Sequence, residues 1–165
     1  MAFDQGTRGE LQKFVTDIRK LLTDDFTRQL QQTYGMDPVS GEVAPLDSLK
    51  YLDEERLETA QILREVMNHY LATEAKNDTK TQIFVLKRIA REQAFTILNR
   101  LAALRMMEAR GILLDSIGHG TQSQAFRLFQ QVANSSLGDT GETYTHFLHS
   151  LFDLFTAALP SLFAR

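Results

Sequence analysis

Apolar residues recur at three- and four-residue intervals through most of this chain, and no segment alternates with the two-residue period of a half-buried strand. The first stripe runs Leu11, Phe14, Val15, Ile18, Leu21, Leu22, Phe26 and Leu30. Thr7 and Glu10 have capping-box spacing at its start, and Gly35 stands where a left-handed residue ends a helix after Tyr34. The opposite face (Lys13, Asp17, Lys20, Asp24, Arg28) alternates in sign and reads as solvated. A second stripe, from Leu57 through Leu63 and Met67 to Leu71, opens at Asp53, whose side chain can cap a helix. Between the two, residues 35–52 hold two of the three prolines and form a long loop, with Asp37 able to bond the backbone ahead and Gly41 able to take positive φ.

The longest pattern predicts a helix from about Thr81 to Arg110, on the order of 45 Å at 1.5 Å per residue, stopped by Gly111. Its second half, residues 94–111, is apolar nearly all the way round yet carries Asn99, Arg100 and Arg105. At 100° per residue Leu98 and Leu101 flank Arg105, while Ile97, Leu104 and Met107 surround Arg100. A helix without a clean polar face belongs inside a fold, and guanidinium groups placed there need partners. These arginines are therefore internal clamps or contacts to something bound. After a Gly-punctuated turn (111–122), Ser123 can cap a short helix to about Asn134 with Phe126, Phe129 and Val132 inward. SSLGDTG breaks the pattern, and Thr140 opens a last helix to about Leu159, where Pro160 marks its end. The expectation is all-α: one domain over 1–165, an irregular bundle of about five helices around the long one.

Composition is that of a globular protein, 43% hydrophobic and 24% charged, with 11 Phe, no Trp and no Cys. The missing cysteine excludes disulfides and thiolate chemistry. No apolar run approaches the roughly 18 residues needed to span a bilayer, so the expected setting is cytoplasmic. Charge is uneven. Residues 1–79 carry 9 basic and 15 acidic side chains, whereas 80–114 carry 7 basic and 2 acidic. The basic block, with Lys87, Arg88 and Arg91 beside Phe84 and Phe95, is either a phosphate-facing surface or the counter-charge to the acidic first half.

Two further candidates carry chemistry. Glu142, His146, His149 and Asp153 fall within about 60° on the last helix, a spacing that can hold a metal in bundles. They are also that helix's polar stripe, and no second helix supplies a matching Glu-x-x-His, so no metal is expected. His119, between Gly118 and Gly120, could act as an acid or base, or be an ordinary turn residue. His69 stands alone on its helix.

The order REQAFTILNRLAALRMMEARGIL (91–113), followed by GTQSQAFRLFQQVANSSLGDTGETYTHFLHSLFDLFTAALPSLF (120–163), resembles the N-terminal helical region of large adenine-specific DNA methyltransferases of BREX-type phage-defence and type IIG restriction-modification systems. DDFTRQLQQTYGMDPVSGEVAPLD (24–47) fits the same region, and FTILNRLAALRMMEARG (95–111) is the most specific element. That family binds S-adenosylmethionine in a Gly-rich loop and meets the target adenine with an N-P-P-Y type motif. This chain has neither. The resemblance thus implies a non-catalytic N-terminal module of a larger protein, whose partners would be a catalytic domain or defence-system subunit and double-stranded DNA. Asn99, Arg100, Arg105 and Glu108 match the family-like motif, either as DNA or partner contacts or as a structural network. The competing readings are a free-standing helical interaction or oligomerisation module and a metal-binding bundle.

Overall fold

The computed structural model describes residues 4–133 and 138–163. They form six α-helices and two short 3₁₀ turns, with one isolated antiparallel bridge between Met36 and Val43 in place of any strand. The fold is all-α. The chain divides into two compact units, Met1–Phe95 and Thr96–Arg165, the boundary falling within the longest helix.

In the first unit, α1 (Gln5–Gln32) begins one turn before the expected capping box. Asp4 is the cap, accepting from the Thr7 backbone N–H at 2.9 Å and its hydroxyl at 2.8 Å. Gly35, at φ 62°, lets the Met36 N–H return to the Leu30 carbonyl and ends the helix. The loop that follows is a built hairpin. The Asp37 N–H donates to the Glu42 carbonyl and the Ala44 N–H to the Gly35 carbonyl, while Met36 and Pro38 are buried beneath. Gly41, at φ 81°, backs onto Thr79 and Ile83, where a Cβ would sit 3.1 Å from Ile83 Cγ1 and 3.2 Å from the Thr79 carbonyl oxygen, a tight fit on top of a backbone conformation that favours glycine. After a 3₁₀ turn (Leu46–Ser48), α2 (Glu54–Thr73) starts at Asp53, which accepts from the Arg56 N–H at 2.8 Å. The first turns of α3 (Thr79–Ala109) close this unit, over a core of Leu30, Met36, Met67, Val85, Leu86, Ile89 and Ala90. Much of the α1 stripe stays outside it: Leu11, Phe14 and Leu21 are exposed.

In the second unit, the later turns of α3 contribute Leu104 to an aromatic core of Phe126, Phe147, Leu151, Phe152 and Phe163. Phe126 meets the Tyr144 ring edge-on at 5.1 Å and lies 5.6 Å from Phe147, the offset geometries such rings prefer. Helix α3 ends at Ala109 with Gly111 at φ 69°, and a loop with a 3₁₀ turn (Gly120–Gln122) leads to α4 (Gln124–Ala133). Ser123 does not cap α4. Its hydroxyl is buried without a hydrogen-bond partner among the described residues, and Asp115 takes over: its carboxylate accepts from the Gln124 N–H and its carbonyl from the Ala125 N–H. Val132, expected inward, is 84% exposed, because the 10 residues of α4 show the core only the side bearing Phe126 and Phe129. The expected end of α4 at Asn134 and the first part of the SSLGDTG break lie outside the described residues. Asp139 caps α5 (Thr140–Thr156), and Pro160, rather than ending that helix, opens a further short one, α6 (Pro160–Phe163), whose Phe163 plugs the core.

Candidate functional sites

The basic residues of α3 separate into those already engaged and those left open. Arg88 is engaged: its guanidinium pairs with Glu92 at 2.7 Å and lies 4.2 Å from the Tyr70 ring centroid, and the Tyr70 hydroxyl donates to Glu92 at 2.6 Å. Partial burial works to raise the Glu92 carboxyl, but the Tyr70 and Arg88 donors outweigh it and hold the group below the usual glutamate value. This triad joins α2 to α3 inside the first unit. Lys87 and Arg91, one turn apart on the same helix, are exposed and make no ion pair among the described residues. Arg91 lines an open cleft with Thr16, Arg19, Lys20, Thr23 and Asp24 of α1. The sequence reading missed Arg19 and took Lys20 for one of a mixed-sign face; nothing local marks either as a neighbour of α3.

In the second unit Arg100, Arg105 and Glu108 bond within the unit, but residues 94–111 are not the interior helix expected: Phe95, Arg105 and Met106 are exposed, because the core takes only one side of the helix, at Leu104. Arg100 donates through Nε to the Leu162 carbonyl at 3.1 Å and sits 5.3 Å from the Phe152 ring centroid, tying down α6. Arg105 pairs with Glu108 at 2.7 Å, and the two could hardly differ more in exposure: the Arg105 side chain is 59% exposed and that of Glu108 3%. Glu108 also accepts from the backbone N–H groups of Ser116 and Ile117, folding the 111–119 loop back on its own helix. Burial pushes the Glu108 carboxyl up, yet these backbone donors and Arg105 more than reverse it, so it ionises below the usual glutamate value. The Tyr144 hydroxyl then donates to the Ser116 carbonyl at 2.8 Å, fastening the loop to α5. The Arg105 guanidinium lies against Gly118, where a Cβ would sit about 3.0 Å from Nη1. Asn99 is half-buried.

His119 has a partner that sequence spacing did not single out. Its Nδ1 lies 2.9 Å from Asp115 Oδ2, while the imidazole is 75% exposed. The geometry orients a ring nitrogen toward solvent, but neither ring nitrogen bonds to a hydroxyl among the described residues, so no nucleophile accompanies the pair. Glu142, His146, His149 and Asp153 are all exposed on α5, and among the described residues no group of three or more such side chains is close enough to hold a metal. His69 is exposed, its ring 6.0 Å from that of Tyr70.

One residue of the first unit matters more than its sequence context suggested. Arg64 donates to the carbonyls of Tyr34 at 3.0 Å, Ala44 at 2.7 Å and Ala60 at 2.8 Å, clamping the hairpin to α2. Asp37, inside the hairpin, accepts from Gln31, from the Ser40 hydroxyl and from the Val39 N–H, which together lower its carboxyl to about 2.

Comparison with protein-family models, with curated proteins and with solved structures finds no match to this chain. No helix among the described residues is long and apolar enough to cross a membrane.

Proposed function

We propose that this chain is a non-catalytic, all-α N-terminal module of an adenine-specific DNA methyltransferase in a phage-defence or restriction-modification system, working in the cytoplasm beside the catalytic domain that binds S-adenosylmethionine. The sequence resemblance supports the family. The observation that carries the accessory role is the employment of its most specific stretch: Arg100, Arg105 and Glu108 hold a loop and a short helix in place. Side chains spent on such a polar network specify a scaffold. The test is reconstitution. The isolated chain, given S-adenosylmethionine and duplex DNA, transfers no methyl group, and a catalytic domain carrying N-P-P-Y methylates adenine faster when the chain is present in cis. Turnover by the chain alone, or a catalytic domain indifferent to it, overturns the reading.

The exposed side chains of Leu11, Phe14 and Leu21 on α1 favour a second reading, a free-standing interaction module. A concentration-dependent dimer abolished by Leu11→Ser together with Phe14→Ser, with no effect on methylation, would select it.

A further inference from the structure

We propose that the face of the first unit shared by α1 and α3 is a docking surface for the sugar–phosphate backbone of duplex DNA, with Arg19, Lys20, Lys87 and Arg91 as its phosphate contacts. It rests on the reading of the chain as a module that works beside a DNA-modifying domain, and it names the surface and the partner.

Three cations converge on one cleft from two helices that are distant in sequence, and Lys87 extends the row by one turn, about 6 Å along α3. None of the four makes an ion pair among the described residues, though Arg91 acts on Glu92 through space and helps to lower its carboxyl, whereas the adjoining Arg88 is paired directly with Glu92 and stacked on Tyr70. Asp24 is the one acid lining the cleft. From Thr79 to Arg91 α3 carries no acid at all, and Glu92 is turned to Arg88 and Tyr70. The cleft is open, and its two threonines cannot orient a small ligand: Thr16 and Thr23 give their hydroxyl protons to the Gln12 and Arg19 carbonyls of their own helix. What remains is a field of positive point charges without shape. That suits a repeating anion, bound through counterion release, better than a discrete one.

The flanking aromatics decide between kinds of nucleic acid. Phe84 and Phe95 are both exposed and bracket Lys87 and Arg91. Their 11-residue separation puts them on one helix face, about 16 Å apart along the axis. Stacking platforms for single strands hold successive bases, a spacing this pair does not offer, while apolar flanks beside a cationic row can rest on the sugars of a duplex. Backbone contact of this kind fixes position and carries no sequence information.

The test uses the full chain, a fluorescent 20-base-pair duplex, a single strand of the same length, and polyglutamate. Duplex binding is expected with Kd on the order of 10⁻⁴ to 10⁻⁶ M and a slope of log K against log salt of about −3.6 for four phosphate contacts. Each of Arg19→Ala, Lys20→Ala, Lys87→Ala and Arg91→Ala should reduce that slope by about 0.9. The quadruple variant should lose binding, and Lys50→Ala with Lys76→Ala, which alters exposed cations outside the cleft, should change nothing. All these side chains are exposed, so circular dichroism and melting should match the parent. Absent duplex binding at low salt, a slope the quadruple variant leaves intact, or preference for the single strand or polyglutamate would each overturn the proposal. Reconstituted methylation separates the two levels. If it depends on the chain while the quadruple variant is neutral, the surface is wrong and the module stands. If it never depends on the chain, the module reading fails whatever the surface binds.

Discussion

The two units solve one problem with opposite charges. Each must fold a loop back onto a helix, which strands backbone polar groups away from water. In the first unit the strays are carbonyls, those of Tyr34 and Ala44, and a guanidinium on α2, Arg64, collects them. In the second they are N–H groups, those of Ser116 and Ile117, and the carboxylate of Glu108 on α3 collects them. The sign of the clamp follows from which half of the peptide faces inward. Their cores differ as well: short aliphatic side chains and two methionines in the first, interlocked phenylalanines in the second. The charge left over is also divided. The second unit spends Arg100 and Arg105 on itself, while the first leaves Lys87 and Arg91 open.

The contrast can be broken first at the aromatic core. Phe126→Ala removes a fully buried ring with two aromatic neighbours and should destabilise the second unit by about 3–5 kcal/mol. Hydrogen exchange should quicken in α4 and α5, and equal quickening in α2 would show that the units do not open separately. Next in size are the clamps. Glu108→Gln keeps the shape but loses the charge: its amide oxygen can accept from both loop N–H groups only by turning its NH2 toward the Arg105 guanidinium, at a cost of about 1–3 kcal/mol measured by denaturant melting. Arg105→Ala, which removes the exposed half of the pair, should cost less than about 1 kcal/mol. If the two substitutions cost the same, the carboxylate is held by the arginine and not by the loop.

Arg64→Lys retains charge but cannot reach three carbonyls from one plane, and should loosen residues 34–44 by about 1–2 kcal/mol, read as faster exchange of the Met36 and Ala44 amides. Acid sharpens the same point. The Asp37 carboxyl is depressed in the folded state, so its contribution is whole above the unfolded value near 3.9 and is lost as pH falls through about 2. A carboxyl NMR titration of Asp37 with a midpoint at the ordinary aspartate value would show that the hairpin network does not persist in solution. The smallest effect is expected at Phe14→Ser, within about 0.5 kcal/mol, since that exposed ring holds neither core together.

Much of this was legible in the residues. Helical periodicity gave the fold class, the long third helix and the aromatic side of α5, and Asp53, Gly35 and Gly111 marked boundaries the structure keeps. Caps were read less well. Thr7, Ser123 and Pro160 each fit a local rule, but Asp4 competed one turn earlier, Asp115 arrived from nine residues away, and Pro160 could equally begin a helix. The chemistry was half visible. Arg100 and Arg105 stood out because their neighbours are apolar, a property of one helix. Arg64, Asp115 and the cleft partners Arg19 and Lys20 carry no local mark of their partners, which come from segments that fold against them.

Periodicity and breakers, being properties of a few turns of chain, determined by themselves that this protein is helical and roughly where each helix lies. Tertiary structure alone decided which apolar stripes found a core, which of several capping groups captured a helix end, and which charges were neutralised at home. Those outcomes depend on desolvation and on competition between groups far apart in sequence, and no local pattern encodes who wins.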